Sequence, residues 1–135
     1  MNTNIYNVNN ENFLNSSMYK NYIKDNPSFG HLKVRAYAAS EAIPIAGVKI
    51  IVTGTIDNNK VVFYEGYTNE SGVIEKIKLP APKLDSDNLE KPIKATYNII
   101  ATYLPDNISK SYQVYIYEDI CVVQNINIVP ETGGY

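Results

Sequence analysis

Two hydrophobic periods divide this chain. Before residue 30 the apolar positions are sparse, and Leu14, Met18 and Tyr22 recur at every fourth position with Tyr19 and Ile23 alongside, the stripe of a short amphipathic helix. From residue 31 the period becomes two: Leu32, Val34, Ala36 and Ala38 share one face, and Lys33, Arg35 and Tyr37 the other. That alternation predicts a first strand over residues 31–38.

Six further strands follow from the same pattern and from the turns between them. Val48, Ile50 and Val52 alternate with Lys49, Ile51 and Thr53 until Gly54, predicting a strand over 48–53. After the hairpin-type turn Asp57, Asn58, Asn59, the β-branched and aromatic run over 60–68 predicts a third. Residues 73–79 alternate Val73, Glu75, Ile77 and Leu79 against Ile74, Lys76 and Lys78. The proline-rich, charged stretch 80–92 reads as one long connection crossing between sheets. Beyond it lie strands over 95–103, 111–117 and 120–129. In the last, Ile120, Val122, Ile126 and Ile128 form the core face, and Cys121 points away from it. Seven short strands with a single crossing predict an all-β, seven-strand antiparallel β-sandwich, because an open sheet would leave its edges exposed.

The polar segment before Gly30 is a distinct arm, ended by the turn chemistry of residues 26–30. Residues 1–29 are therefore assigned to the arm, 30–131 to the sandwich and 132–135 to a C-terminal tail. Within the arm, Ile5, Tyr6 and Val8 fit an extended strand, and Phe13, Leu14, Met18, Tyr19, Tyr22 and Ile23 fit a helix. Its richness in asparagine is read as a mark of source and not of function.

Composition narrows the function. Twelve tyrosines and no tryptophan suit strands. A formal charge of −2 offers no clustered cations for a phosphate backbone, so nucleic acid is not an expected partner. No stretch reaches the roughly 18 to 20 apolar residues of a membrane span, and residues 1–12 lack the pattern of a secretory signal, so cytoplasmic synthesis is expected.

The chemistry-bearing residues are few. One histidine, His31, and one cysteine, Cys121, leave no soft metal set and no internal disulfide; His31 is read as an exposed or capping residue. Cys121 has no neighbour to lower its pKa and is read as an unreactive strand residue. Asp85, Asp87 and Glu90 lack the glycine and closing glutamate of a calcium loop and are read as a solvated loop. A crosslink between Lys33 and Asn125 beside Glu75 is disfavoured because Lys33 has the outward parity. The acceptor triplet Asn107, Ile108, Ser109 is discounted for want of a signal peptide. Tyr64, Tyr67, Tyr112, Tyr115 and Tyr117 crowd two strands and are read first as sandwich packing. No catalytic set assembles, so no enzyme activity, metal or cofactor is expected.

Two turn motifs carry a resemblance. Pro44 to Val48 (PIAGV) opens the second strand and Thr68 to Gly72 (TNESG) closes the third, with Gly47 and Gly72 where positive φ is needed and Asn69 placed to cap its own turn. Together these motifs resemble the carboxypeptidase-regulatory-like and transthyretin-like domains, which implies a prealbumin-like or Ig-like sandwich. With residues 79–82 (LPAP), 95–99 (ATYNI) and 124–130 (QNINIVP), the series over about 30–131 is similar to the N-terminal domain of spore cortex-lytic enzymes of anaerobic spore formers. The chain departs from that pattern at residues 101–104, and the domain in that family carries no catalytic residues to transfer.

The resulting expectation is a non-catalytic structural subunit that self-assembles through its arm with copies of itself, as a fibre, appendage or coat component at a spore or cell surface. The alternative is a regulatory or targeting module that docks a cortex-lytic enzyme or its activating protease.

Overall fold

Alternation of apolar and polar positions makes each period-two segment a strand with one dry face, and two such sheets close on each other to bury it. The computed structural model describes residues 5–38, 43–85 and 93–128. In chain order these form β1 (Ile5–Asn7), α1 (Glu11–Leu14), α2 (Ser17–Asp25), β2 (Ser28–Ala38), β3 (Ile43–Pro44), β4 (Lys49–Ile56), β5 (Asn59–Tyr67), β6 (Val73–Ala81), β7 (Ala95–Tyr103), a 3-10 turn (Leu104–Asp106), β8 (Ile108–Ile116) and β9 (Cys121–Asn127).

One sheet has the order β1-β5-β4-β7-β8; in the other, β2 is central, with β6 and β3 along one side and β9 on the other. The seven expected strands are all present, with the two short strands β1 and β3 in addition. The sandwich is not wholly antiparallel: β1 runs parallel to β5, and β9 parallel to β2, pairing His31 with Cys121 through Tyr37 with Asn127. No local pattern specifies strand direction, so the parallel pairings come from how the long connections return.

The core lies between the sheets. Leu32 and Val34 of β2, Ile50 and Val52 of β4, and Ile99 of β7 are fully buried. Two bulges shift the expected parities. Leu32 pairs with Ile77 but Val34 with Ile74, so β6 carries one extra residue there. Ile74 and Ile77 both turn inward as a result, while Glu75, expected to share a face with Ile77, is exposed. In β5, Phe63 is the extra residue, since Val52 pairs with Tyr64 and Thr53 with Val62. Ile120, expected on the core face, lies outside β9 and is 47% exposed.

The two turn motifs meet in space. Thr68 is buried; its Oγ1 accepts from the Val48 N–H at 3.0 Å and donates to the Ile45 carbonyl at 2.8 Å. Gly47 N–H donates to the Thr68 carbonyl at 3.0 Å. Asn69 Oδ1 accepts from the N–H groups of Ser71 (2.9 Å) and Val73 (3.1 Å), capping the turn as expected. At Gly72, φ is +73° and a Cβ would stand 2.5 Å from the Ala36 carbonyl oxygen, so only glycine fits. Pro44 pairs with Tyr37 at the end of β2, beside this knot.

Candidate assembly interface

The arm begins as a strand and continues as two helices, each start fixed by a short polar side chain. β1 lies on β5 with Tyr6 opposite Val61, and Val8 N–H donates to the Val62 carbonyl at 3.0 Å. Asn7 Oδ1 accepts from Asn9 N–H at 2.8 Å, turning the chain off the sheet. Asn10 caps α1 through the Phe13 N–H, and Ser16 caps α2 through the Tyr19 N–H, both at 3.2 Å. The asparagine-rich composition read as a mark of source therefore also supplies turns and caps.

An aromatic series ties the arm to the sandwich. Tyr6 stacks on Phe13 with centroids 5.1 Å apart, and Phe13 meets Tyr19 at 5.3 Å. Tyr22 meets Phe63 at 5.7 Å, and Phe63 meets the edge of Tyr97 at 5.1 Å. The Tyr22 hydroxyl donates to the Tyr97 hydroxyl at 2.9 Å, which in turn donates to the Pro80 carbonyl at 2.5 Å. Burial drives the Tyr97 pKa far above the ordinary tyrosine value, with the neighbouring Tyr22 adding to it, and burial also raises Tyr22 and Tyr19. Sequence reasoning missed Tyr97 and Phe63; the shared parity of Ala95, Tyr97, Ile99 and Ala101 was the available signal.

The predicted arm residues therefore divide into two sets. Phe13 is buried in the core, and Tyr6, Val8, Met18, Tyr19 and Tyr22 pack against it. Ile23 is half-buried, whereas Leu14 and Ile5 are exposed, Ile5 by 63%. Between β1 and the helices runs a groove of about 480 Å³, with Ile5, Tyr6 and Met18 as apolar walls and Asn7, Asn10 and Ser17 at its polar positions.

The outer face of the second sheet holds a more polar cleft of about 600 Å³ that includes His31, Phe29, Lys78 and Glu118. Lys78 Nζ lies 4.3 Å above the Phe29 ring. Glu118 accepts from the Ser28 hydroxyl at 2.6 Å and the Leu84 N–H at 2.7 Å, and these bonds hold its carboxyl below the usual carboxylate range. Among the described residues no group of three His, Cys, Asp or Glu side chains is placed to hold a metal ion. Asp87 and Glu90 lie outside the described residues. Lys33 pairs with Glu75 at 3.5 Å, while Asn125 accepts from Arg35 at 3.3 Å instead of approaching Lys33. Cys121 is exposed, as its parity predicts. Tyr67 and Tyr115 are exposed, the latter under Lys94 Nζ at 4.7 Å. No described helix is long and apolar enough to cross a membrane.

No protein-family model matches this chain, and no curated protein does. Among solved structures, Klebsiella pneumoniae 5-hydroxyisourate hydrolase aligns at a TM-score of 0.47 and 15% identity, over 73% of this chain and 90% of that one. A 3-chlorocatechol 1,2-dioxygenase from Rhodococcus opacus aligns at 0.43 and 11%, over 74% of this chain and 60% of its own length. The fold is an all-β sandwich of two mixed sheets. The expectation that the chain is not an enzyme is corrected at this point: the first of these neighbours is an enzyme, so an architecture of this kind gives no ground for excluding catalysis.

Proposed function

We propose that the chain is a self-associating structural module in which the arm makes the contact between copies, at a spore or cell surface. The observation that carries this reading is the position of β1 at the outer edge of its sheet, with Ile5 63% exposed at the rim of the groove. In a parallel ladder the backbone groups of alternate residues point to opposite sides. Since Val8 N–H turns toward β5, so does that of Tyr6, and the N–H groups of Ile5 and Asn7 turn outward. A second copy adds its own β1 there in antiparallel fashion, joining two five-stranded sheets across a twofold axis. The resemblance of residues 30–131 to the cortex-lytic N-terminal domain supports the spore as the location.

Removing the whole arm is a poor test, because it strips Phe13 and Tyr22 from the core. Ile5→Pro is a sharper one: it deletes an outward N–H from an exposed residue and leaves the bonds of Tyr6 and Val8 to β5 intact. Light scattering over a concentration series is expected to show self-association in the natural chain and its reduction in Ile5→Pro at unchanged melting temperature. A natural chain that is monomeric throughout overturns the reading in favour of a docking module for another protein.

A further inference from the structure

We infer that β9 is a second self-pairing edge, so that each copy joins two neighbours and the assembly is linear; this rests on the self-association proposed above. His31 N–H donates to the Ile120 carbonyl at 3.0 Å, and Ile128 N–H donates to the Tyr37 carbonyl at 2.8 Å. Even-numbered residues of this strand thus bond to β2, and the backbone of Cys121, Val123, Asn125 and Asn127 faces outward. The far half of that edge is capped: Lys110 Nζ donates to the Asn127 carbonyl at 2.6 Å, and the Gln124 amide to the Asn125 carbonyl at 2.9 Å. The near half is open, since Cys121 and Val123 have no backbone partner on that side among the described residues. Val123 is 50% exposed and Cys121 is exposed.

Native edge strands are normally guarded by charge, proline or shortness. The outward edge of β6 follows this rule with Lys76, Lys78 and Pro80. The β9 segment, CVVQNIN, has seven residues with no charge, proline or glycine. Its occupant is a second copy. Pairing about a twofold axis sets a strand against itself, which forbids charge and favours side-chain amides that both donate and accept, and Gln124, Asn125 and Asn127 supply these. With the axis at Val123, that residue faces its own counterpart and Cys121 faces Asn125 of the second copy, where the Gln124 amide that caps the Asn125 carbonyl in the single chain gives way to the Cys121 N–H. The two edges lie on opposite flanks: β1 sits beyond β5, whereas β9 is held by Lys110 of β8. Twofold contacts on opposite flanks extend into an open row.

Sedimentation of the full-length chain separates the two contacts. The natural chain is expected to form species above the dimer that grow with concentration. Val123→Lys and Ile5→Pro should each stop at the dimer, and the double variant should be monomeric, all with cooperative melts. In Cys121→Ser, Val123→Cys should give a disulfide dimer, because directly opposed residues of this type lie about 5.5 Å apart, within bridging range. If Val123→Lys leaves the assembly unchanged while Ile5→Pro shortens it, the β9 contact is overturned and the arm contact stands. If only Val123→Lys has an effect, the β9 contact stands and the arm reading falls. Capture of a different protein at β9 with no self-pairing also overturns the inference.

Discussion

The Tyr22 hydroxyl donates to the Tyr97 hydroxyl across 75 residues of sequence, and Tyr97 relays that bond to the carbonyl of Pro80. Pro80 lies near the end of β6, so this relay joins the arm, the first sheet and the second sheet at one flank of the sandwich. The two hydroxyls are not equivalent. Tyr97 is fully buried and is the donor given to the Pro80 carbonyl, whereas Tyr22 is only half-buried. Tyr97→Phe is expected to cost about 1–3 kcal/mol by leaving a buried acceptor unmet, and Tyr22→Phe about 0.5–1.5 kcal/mol. Their effects should add to less than their sum, since both act on one chain of bonds. Urea titrations of the two single variants and the double variant measure this, and a Tyr22→Phe loss exceeding that of Tyr97→Phe would sink it.

The same pair sets the response to alkali. Burial raises the pKa of Tyr97 and Tyr22 above the ordinary value near 10, so the folded chain holds these protons more tightly than the unfolded chain does. Their contribution is therefore fully present below about pH 10 and is lost as pH rises above it. The tyrosine contribution should be constant in pH up to that point and fall beyond it, and the alkaline fall should be less steep in Tyr97→Phe. Phenolate absorbance followed together with circular dichroism checks this: the buried tyrosines should ionise only as the fold is lost. Ionisation of all twelve at the ordinary value with the fold intact would refute it.

Period two in the sequence located every long strand, because one dry face per strand is a local demand that each residue meets by itself. Met18 and Tyr22 likewise located α2, although Leu14, read as part of the same stripe, ends the separate helix α1, and Ile5 to Val8 located the extended segment before them. Three features escaped for a common reason: they depend on partners far away in sequence. The bulge beside Glu75 exists only against β2, the burial of Tyr97 only against Tyr22 and Phe63, and the parallel direction of β9 only through its return to His31. The groove beside β1 is legible only as scattered apolar residues until the helices fold over it.

Thr68 tests whether the paired turn motifs are one unit. Its hydroxyl links the two directly, accepting from Val48 and donating to Ile45. Thr68→Val keeps the shape and removes both bonds, with an expected loss of about 1–3 kcal/mol for the groups left unmet. Thr68→Ser should restore most of it, since the oxygen returns and only a methyl is missing. Equal losses in the two variants would mean that packing, not hydrogen bonding, gives Thr68 its place.

Gly54 has a reason for being glycine that the sequence does not disclose. A Cβ there would stand 2.9 Å from Phe63 Cε2 and 3.2 Å from Tyr97 Cδ1, inside the ring pair that anchors Tyr22. Gly54→Ala is therefore an overpacking change, expected to cost about 1–3 kcal/mol and to loosen the arm with it. Trimming the obstructing ring should relieve the clash, so the penalty for Gly54→Ala should shrink when it is introduced into Phe63→Leu. Gly47 is the control: no atom lies within 4 Å of its Cβ position, but its φ is +78°. Gly47→Ala should cost about 1–2 kcal/mol through backbone strain alone, and no trimming of a neighbour should recover it. Thermal melts of the four variants separate these origins, and a Gly54→Ala penalty unchanged by Phe63→Leu would show that the rings do not set the need for glycine.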